Sequence, residues 1–161
     1  MKKRMILLIL IFFNLAVIFF FSHQTAEQST HLSNNLSKQV EIHTPHYETK
    51  TQAEKNIFHA NMQSYVRRSA HIVLFLCLGG LVLLLLFTDS FRWYRIVGAI
   101  SFGAFCALGD EVHQLYVPGR TFQWEDIGSD IFGFLVGMFL VLFVTFMSHI
   151  VKKHKKRAGT G

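Results

Sequence analysis

The sequence predicts an all-α, multi-pass membrane protein with four transmembrane helices, and three observations carry that expectation. Of its 161 residues 51% are hydrophobic, 17 of them phenylalanine, and this content is gathered into long runs. Four runs approach the ~20 residues that a helix needs to cross a hydrocarbon core about 30 Å thick. Basic residues flank the runs on alternate sides, which is the mark of membrane topology.

The four runs are 5–21, 69–87, 93–109 and 127–148. Lys2, Lys3 and Arg4 precede the first, Arg92 and Arg95 border the third, and Lys152, Lys153, Lys155, Lys156 and Arg157 follow the fourth. The positive-inside rule then places both termini in the cytoplasm, with 22–66 and 110–126 on the extracytoplasmic side. The net charge of +6 is accounted for by this pattern, so membrane lipids, and not nucleic acid, are the expected partners. The basic tail, 149–161, is expected against anionic head groups, and 1–161 reads as a single membrane domain. Cys77 and Cys106 both fall inside apolar runs, which excludes a disulfide in the polar segments and reads them as small buried hydrophobes.

The first run has the charged start of a signal peptide, but it is longer than the usual 7 to 15 apolar residues and ends in Phe19-Phe20-Phe21-Ser22-His23 without small residues at a cut. It is therefore read as an uncleaved span, with Asn14 turned toward another helix. The polar segment 22–66 is expected to form a helical hairpin lying at the outer surface between helices 1 and 2. Thr25 to Gln28 and Thr51 to Glu54 both fit the capping-box pattern, and Leu32, Leu36 and Val40 recur at helical spacing. Pro45 separates the two halves. Five histidines (His23, His31, His43, His46, His59) lie here, but no cysteine accompanies them and no helix fixes the His43/His46 pair. No metal or cofactor is assigned on that basis.

The second run opens with Arg67-Arg68-Ser69-Ala70-His71, which puts His71 on one helical face with both arginines and calls for an acidic partner, expected from the stretch around Asp110. The third run is short and ends in Asp110-Glu111-Val112-His113-Gln114-Leu115-Tyr116-Val117-Pro118-Gly119-Arg120. If the helix persists, Asp110 shares a face with His113 and Gln114. Pro118-Gly119 then turns the chain, and Trp124 anchors its return. Asp126 and Asp130, at i,i+4, begin the fourth helix. A charged Asp at membrane depth costs about 3 kcal/mol, so Asp130 must be paired or protonated. Gly133-x-x-x-Gly137 permits close helix contact.

On this topology Ser22, Gln24, Arg67, Arg68, His71, Asp110, Glu111, His113, Gln114, Arg120, Asp126 and Asp130 converge at one membrane face. The pattern Phe21-Ser22-x-Gln24, Arg67-Arg68-Ser69-Ala70-His71, the Asp110 to Arg120 stretch and Asp126-x-x-x-Asp130-x-x-Gly133 resembles the VanZ-like family of small bacterial membrane proteins. The resemblance implies a multi-pass protein of the bacterial cell membrane, and the family's namesake raises resistance to the glycopeptide teicoplanin. Arg68 stands where the family usually has Lys, Leu74 and Phe75 replace a common Glu-Tyr pair, and Asp130 stands where Asn is frequent.

Three functions stay open on these residues. The first is an envelope protein binding a lipid-linked precursor, a glycopeptide or an envelope partner through Gln24, Arg67, Arg68, His71, Asp110, Glu111, Gln114, Arg120, Asp126 and Asp130. The second is a membrane-embedded hydrolase or transferase with His71, Glu111 or His113 as catalytic candidates, or with His71, Glu111 and Asp126 around a metal. No recognised hydrolase signature supports it. The third is a purely structural charge network tying helix ends together. The oligomeric state leaves no signature.

Overall fold

A computed structural model of the chain describes residues 1–24, 49–88 and 93–158, with side chains to 152. Among the described residues there are four helices and no strand: α1 (Lys2–Ser22), α2 (Gln52–Leu86), α3 (Trp93–Gln114) and α4 (Trp124–Ala158). Each is long and apolar enough to cross a membrane.

The start of α2 follows from its capping box. The Thr51 hydroxyl accepts the Glu54 N–H at 3.4 Å, and the Glu54 carboxylate accepts the Thr51 N–H at 2.8 Å. Two donors that the helix leaves orphaned are thereby satisfied. From there α2 continues without a break for 35 residues, so the polar stretch before Arg67 and the apolar run after it are one rod. The other half of the anticipated hairpin, with the Thr25 capping box and Leu32, Leu36 and Val40, lies outside the described residues.

The third helix runs beyond its apolar stretch, through Asp110 and Glu111 to Gln114, for 22 residues. At 1.5 Å per residue that is roughly 33 Å, enough to span a bilayer core that the apolar part alone does not. The last polar turn stays helical because both acids are buried and hydrogen-bonded.

Side-chain burial follows the membrane. Phe12 is 76% exposed, Phe105 74% and Phe139 62%, a continuous apolar surface that water would not tolerate and lipid does. Cys77 is among the exposed residues and Cys106 is half-buried, so the expectation that both are buried hydrophobes holds for neither in full. A thiol is apolar enough to face lipid, so the sequence alone could not choose its direction.

Helices α2 and α4 form the most extensive pair, with α1 against α2 and α3 against α4. Glycines permit it. A Cβ on Gly133 would sit 2.5 Å from the Ile72 carbonyl oxygen, and one on Gly137 or Gly79 would overlap the Leu76 or Phe134 backbone. The Gly133/Gly137 face therefore meets α2 backbone to backbone. Phe75, Leu78, Leu83 and Phe134 fill the core beside this crossing. Beyond it, the Ser22 end of α1, His71 of α2, the Gln114 end of α3 and the start of α4 gather at one end of the bundle.

Candidate functional site

The site begins with a turn. Val117 accepts the Arg120 N–H at 3.1 Å across Pro118-Gly119, and Gly119 has φ 79°. Proline at the second position and a positive φ at the third define a type II turn, for which glycine is the residue without steric cost. The turn folds Arg120 back into the bundle, where it is 8% exposed.

There its guanidinium donates to the Gln24 carbonyl at 3.0 and 3.3 Å and to the Gln114 side-chain oxygen at 3.3 Å. The Gln24 carbonyl lies just past the end of α1, whose C-cap is His23, so no intrahelical donor is available to it. Gln114 in turn donates to Asp110 at 2.9 Å, and the Ser22 hydroxyl donates to the other Asp110 oxygen at 2.5 Å. A closed chain of bonds thus ties α1, α3 and the return loop together. Burial pulls the Arg120 pKa down to about 10, which still leaves it cationic at neutral pH.

A second group lies across the cluster. Asp126 accepts from Arg68 at 2.8 Å and from Arg67 at 3.4 Å, so one carboxylate serves two guanidiniums. Glu111, 2% exposed, accepts the Gln123 backbone N–H at 2.6 Å and so pins the return loop just before α4. Between the two groups stands His71. Its Nδ1 is 3.5 Å from Asp110 and 3.7 Å from Asp130, and both carboxylates are buried.

The residues expected from the sequence therefore do meet, but the pairing differs in detail. Gln24 takes part through its backbone carbonyl. The arginines of α2 engage Asp126, while His71 faces Asp110 and Asp130. His113 Nε2 has no hydrogen-bond partner among the described residues, and its ring stacks on Phe19 at 4.5 Å and on His23 at 5.6 Å. Asn14 is buried as expected, yet its Oδ1 has no hydrogen-bond partner among the described residues. Ser129 lines the cluster beside Asp126, and Asn61, Ser64 and Tyr65 line a cleft on α2. These four are not among the residues expected from the sequence, although Asn61, Ser64 and Arg68 fall at the i, i+3, i+7 spacing of one helix face.

A family model described as VanZ/LLP1 matches residues 5–146. That match spans all four helices. The chain is a member of the VanZ-like family. No curated protein and no solved structure matches it.

Two clefts open on the cluster of this VanZ-like protein. One, of about 280 Å³, is lined among the described residues by Asn61, Ser64, Tyr65 and Arg68. The other holds only about 10 Å³, room for about one water, and lies among Arg67, Arg68, His71, Gln114, Asp126, Ser129 and Asp130. Arg68 lines both, and its side chain is 34% exposed. It stands between an open groove and a nearly closed polar interior.

Proposed function

We propose that this VanZ-like protein works at the bacterial cell envelope, with both termini cytoplasmic and the polar cluster on the extracytoplasmic side. There it binds a membrane-borne molecule with an anionic head and an apolar tail. A lipid-linked cell-wall precursor and a glycopeptide of the teicoplanin type share that chemistry, and resistance to the latter is the expected phenotype.

The observation that carries this reading is the sharing of Asp126 by Arg67 and Arg68 beside the 280 Å³ cleft. Two cations against one carboxylate leave positive charge at the cleft, and a guanidinium fork is suited to phosphate or carboxylate. The test is a bacterial strain lacking the gene, complemented with wild type or Arg68→Ala at equal membrane abundance. Wild type is expected to raise teicoplanin tolerance and Arg68→Ala to lose most of it; equal protection by both would contradict the reading.

A second reading, a membrane-embedded hydrolase or transferase acting on a lipid-linked substrate, is favoured by one observation. His71 Nε2 and Asp130 Oδ1 are buried without a hydrogen-bond partner among the described residues. Turnover that disappears in His71→Gln while binding persists would select this reading over simple binding.

A further inference from the structure

We infer that His71, Asp110 and Asp130 form a binding site for a divalent transition-metal cation of the Zn²⁺ or Mn²⁺ type. The inference stands on the inner cluster alone and holds whatever occupies the Arg68 cleft.

The spacing is the first support. One ligand atom from each residue lies within 4.8 Å of the others, and all three residues are buried. The distances from His71 Nδ1 to the carboxylates, 3.5 and 3.7 Å, are too long for the charge-assisted hydrogen bonds of about 2.7–2.9 Å that an imidazolium would make. Ligand atoms bound at about 2.0–2.2 Å to a common ion sit roughly 3.0–3.5 Å apart. The two His71 distances need only a contraction of a few tenths of an ångström, and the carboxylate oxygens, within 4.8 Å of one another, close by about 1.5 Å at most to share one cation.

Charge is the second. Asp126 takes both arginines of α2, and Arg120 bonds to the neutral oxygens of Gln24 and Gln114. Neither Asp110 nor Asp130 has a guanidinium in direct contact among the described residues. Two buried carboxylates thus face one imidazole, which supplies at most a single positive charge. A divalent cation answers both.

Unused bonding capacity is the third. Asp130 Oδ1 has no hydrogen-bond partner among the described residues, although the residue is 3% exposed. Asp110, by contrast, is already oriented by Ser22 and Gln114, the outer-shell support that metal-binding carboxylates receive. Imidazole with two carboxylates suits Zn²⁺ or Mn²⁺ better than Ca²⁺ or Mg²⁺, which take oxygen ligands, and three protein ligands leave a position open.

The experiment uses the full chain in nanodiscs, stripped with chelator, dialysed separately against Zn²⁺ and Mn²⁺, and analysed by elemental mass spectrometry. About one ion per chain is expected, with affinity reduced at least tenfold by Asp130→Asn and unchanged by Glu125→Gln. Histidines elsewhere in the chain also bind transition metals, so ion retention indifferent to Asp130→Asn would overturn the proposal, as would no retained ion. Should Asp130→Asn fail to fold, pulsed electron paramagnetic resonance on Mn²⁺-loaded wild type decides. A nitrogen coupling that disappears in His71→Gln is expected, and Mn²⁺ with oxygen ligands alone would refute the site.

Discussion

Asp126 holds two guanidiniums, and the unequal exposure of the partners sets what each substitution does. Arg68 is a third exposed, so its pair with Asp126 is expected to contribute no more than about 1 kcal/mol, and Arg68→Ala should fold. Asp126→Asn instead leaves two arginines facing each other with no carboxylate between them. It should destabilise the detergent-solubilised protein by roughly 3 kcal/mol, more than either Arg→Ala, as read from thermal unfolding. Arg120 is a different case, since its charge is buried and ties α1 to α3 through Gln24 and Gln114. Arg120→Ala is predicted to cost on the order of 2–3 kcal/mol, and Arg120→Lys should not restore it, because an ammonium cannot reproduce the fork. That these residues matter was legible in the sequence, as ionisable groups between apolar runs. Their partners were legible as a group, since the Asp110 stretch was expected to supply the acid that His71 needs, while the detailed pairing, with Asp126 taken by both arginines and Asp130 by His71, depends on how α2 is rotated against α3 and α4.

At the scale of the element, the helices were legible from hydropathy, and the shortness of the third apolar run left open whether the helix persists through Asp110 and Glu111. The apolar run of α3 stops near Gly109, yet the helix continues to Gln114 because Asp110 and Glu111 find Ser22, Gln114 and the Gln123 N–H. Asp110 and His113 lie three residues apart on the persisting helix, as periodicity expects, while the ring contacts of His113 with Phe19 and His23 could not be read from spacing. Glycine spacing announced a close helix contact without naming the partner, which is α2. Gly137→Leu is therefore predicted to disrupt the fold, since its side chain would meet the Leu76 backbone and not a movable side chain. Gly98→Leu is the control, because a Cβ there meets nothing within 4 Å. Size-exclusion profiles and unfolding midpoints of the two variants should separate clearly. At the turn, Gly119→Ala forces a side chain into positive φ and should cost about 1 kcal/mol, with Arg120 drawn away from Gln24.

At the scale of the molecule, the described residues of this VanZ-like protein form a bundle of four helices long and apolar enough to cross a membrane, oily on its flanks and densely polar at one end. Most of that polar end is closed on itself, and Arg68 is where it meets an open cleft. Closed polar networks stabilise a bundle, so the case for a ligand rests on the positive charge that Asp126 leaves at the cleft. An electrostatic contact at a third-exposed arginine should weaken as ionic strength rises. The most direct test is the binding of a short-chain polyprenyl phosphate to the purified protein in nanodiscs, measured for wild type, Arg68→Ala and Glu125→Gln. Saturable binding that falls about tenfold or more in Arg68→Ala, and is unchanged in Glu125→Gln, is the predicted result. Equal affinity in all three, or no saturable binding to wild type, would contradict it.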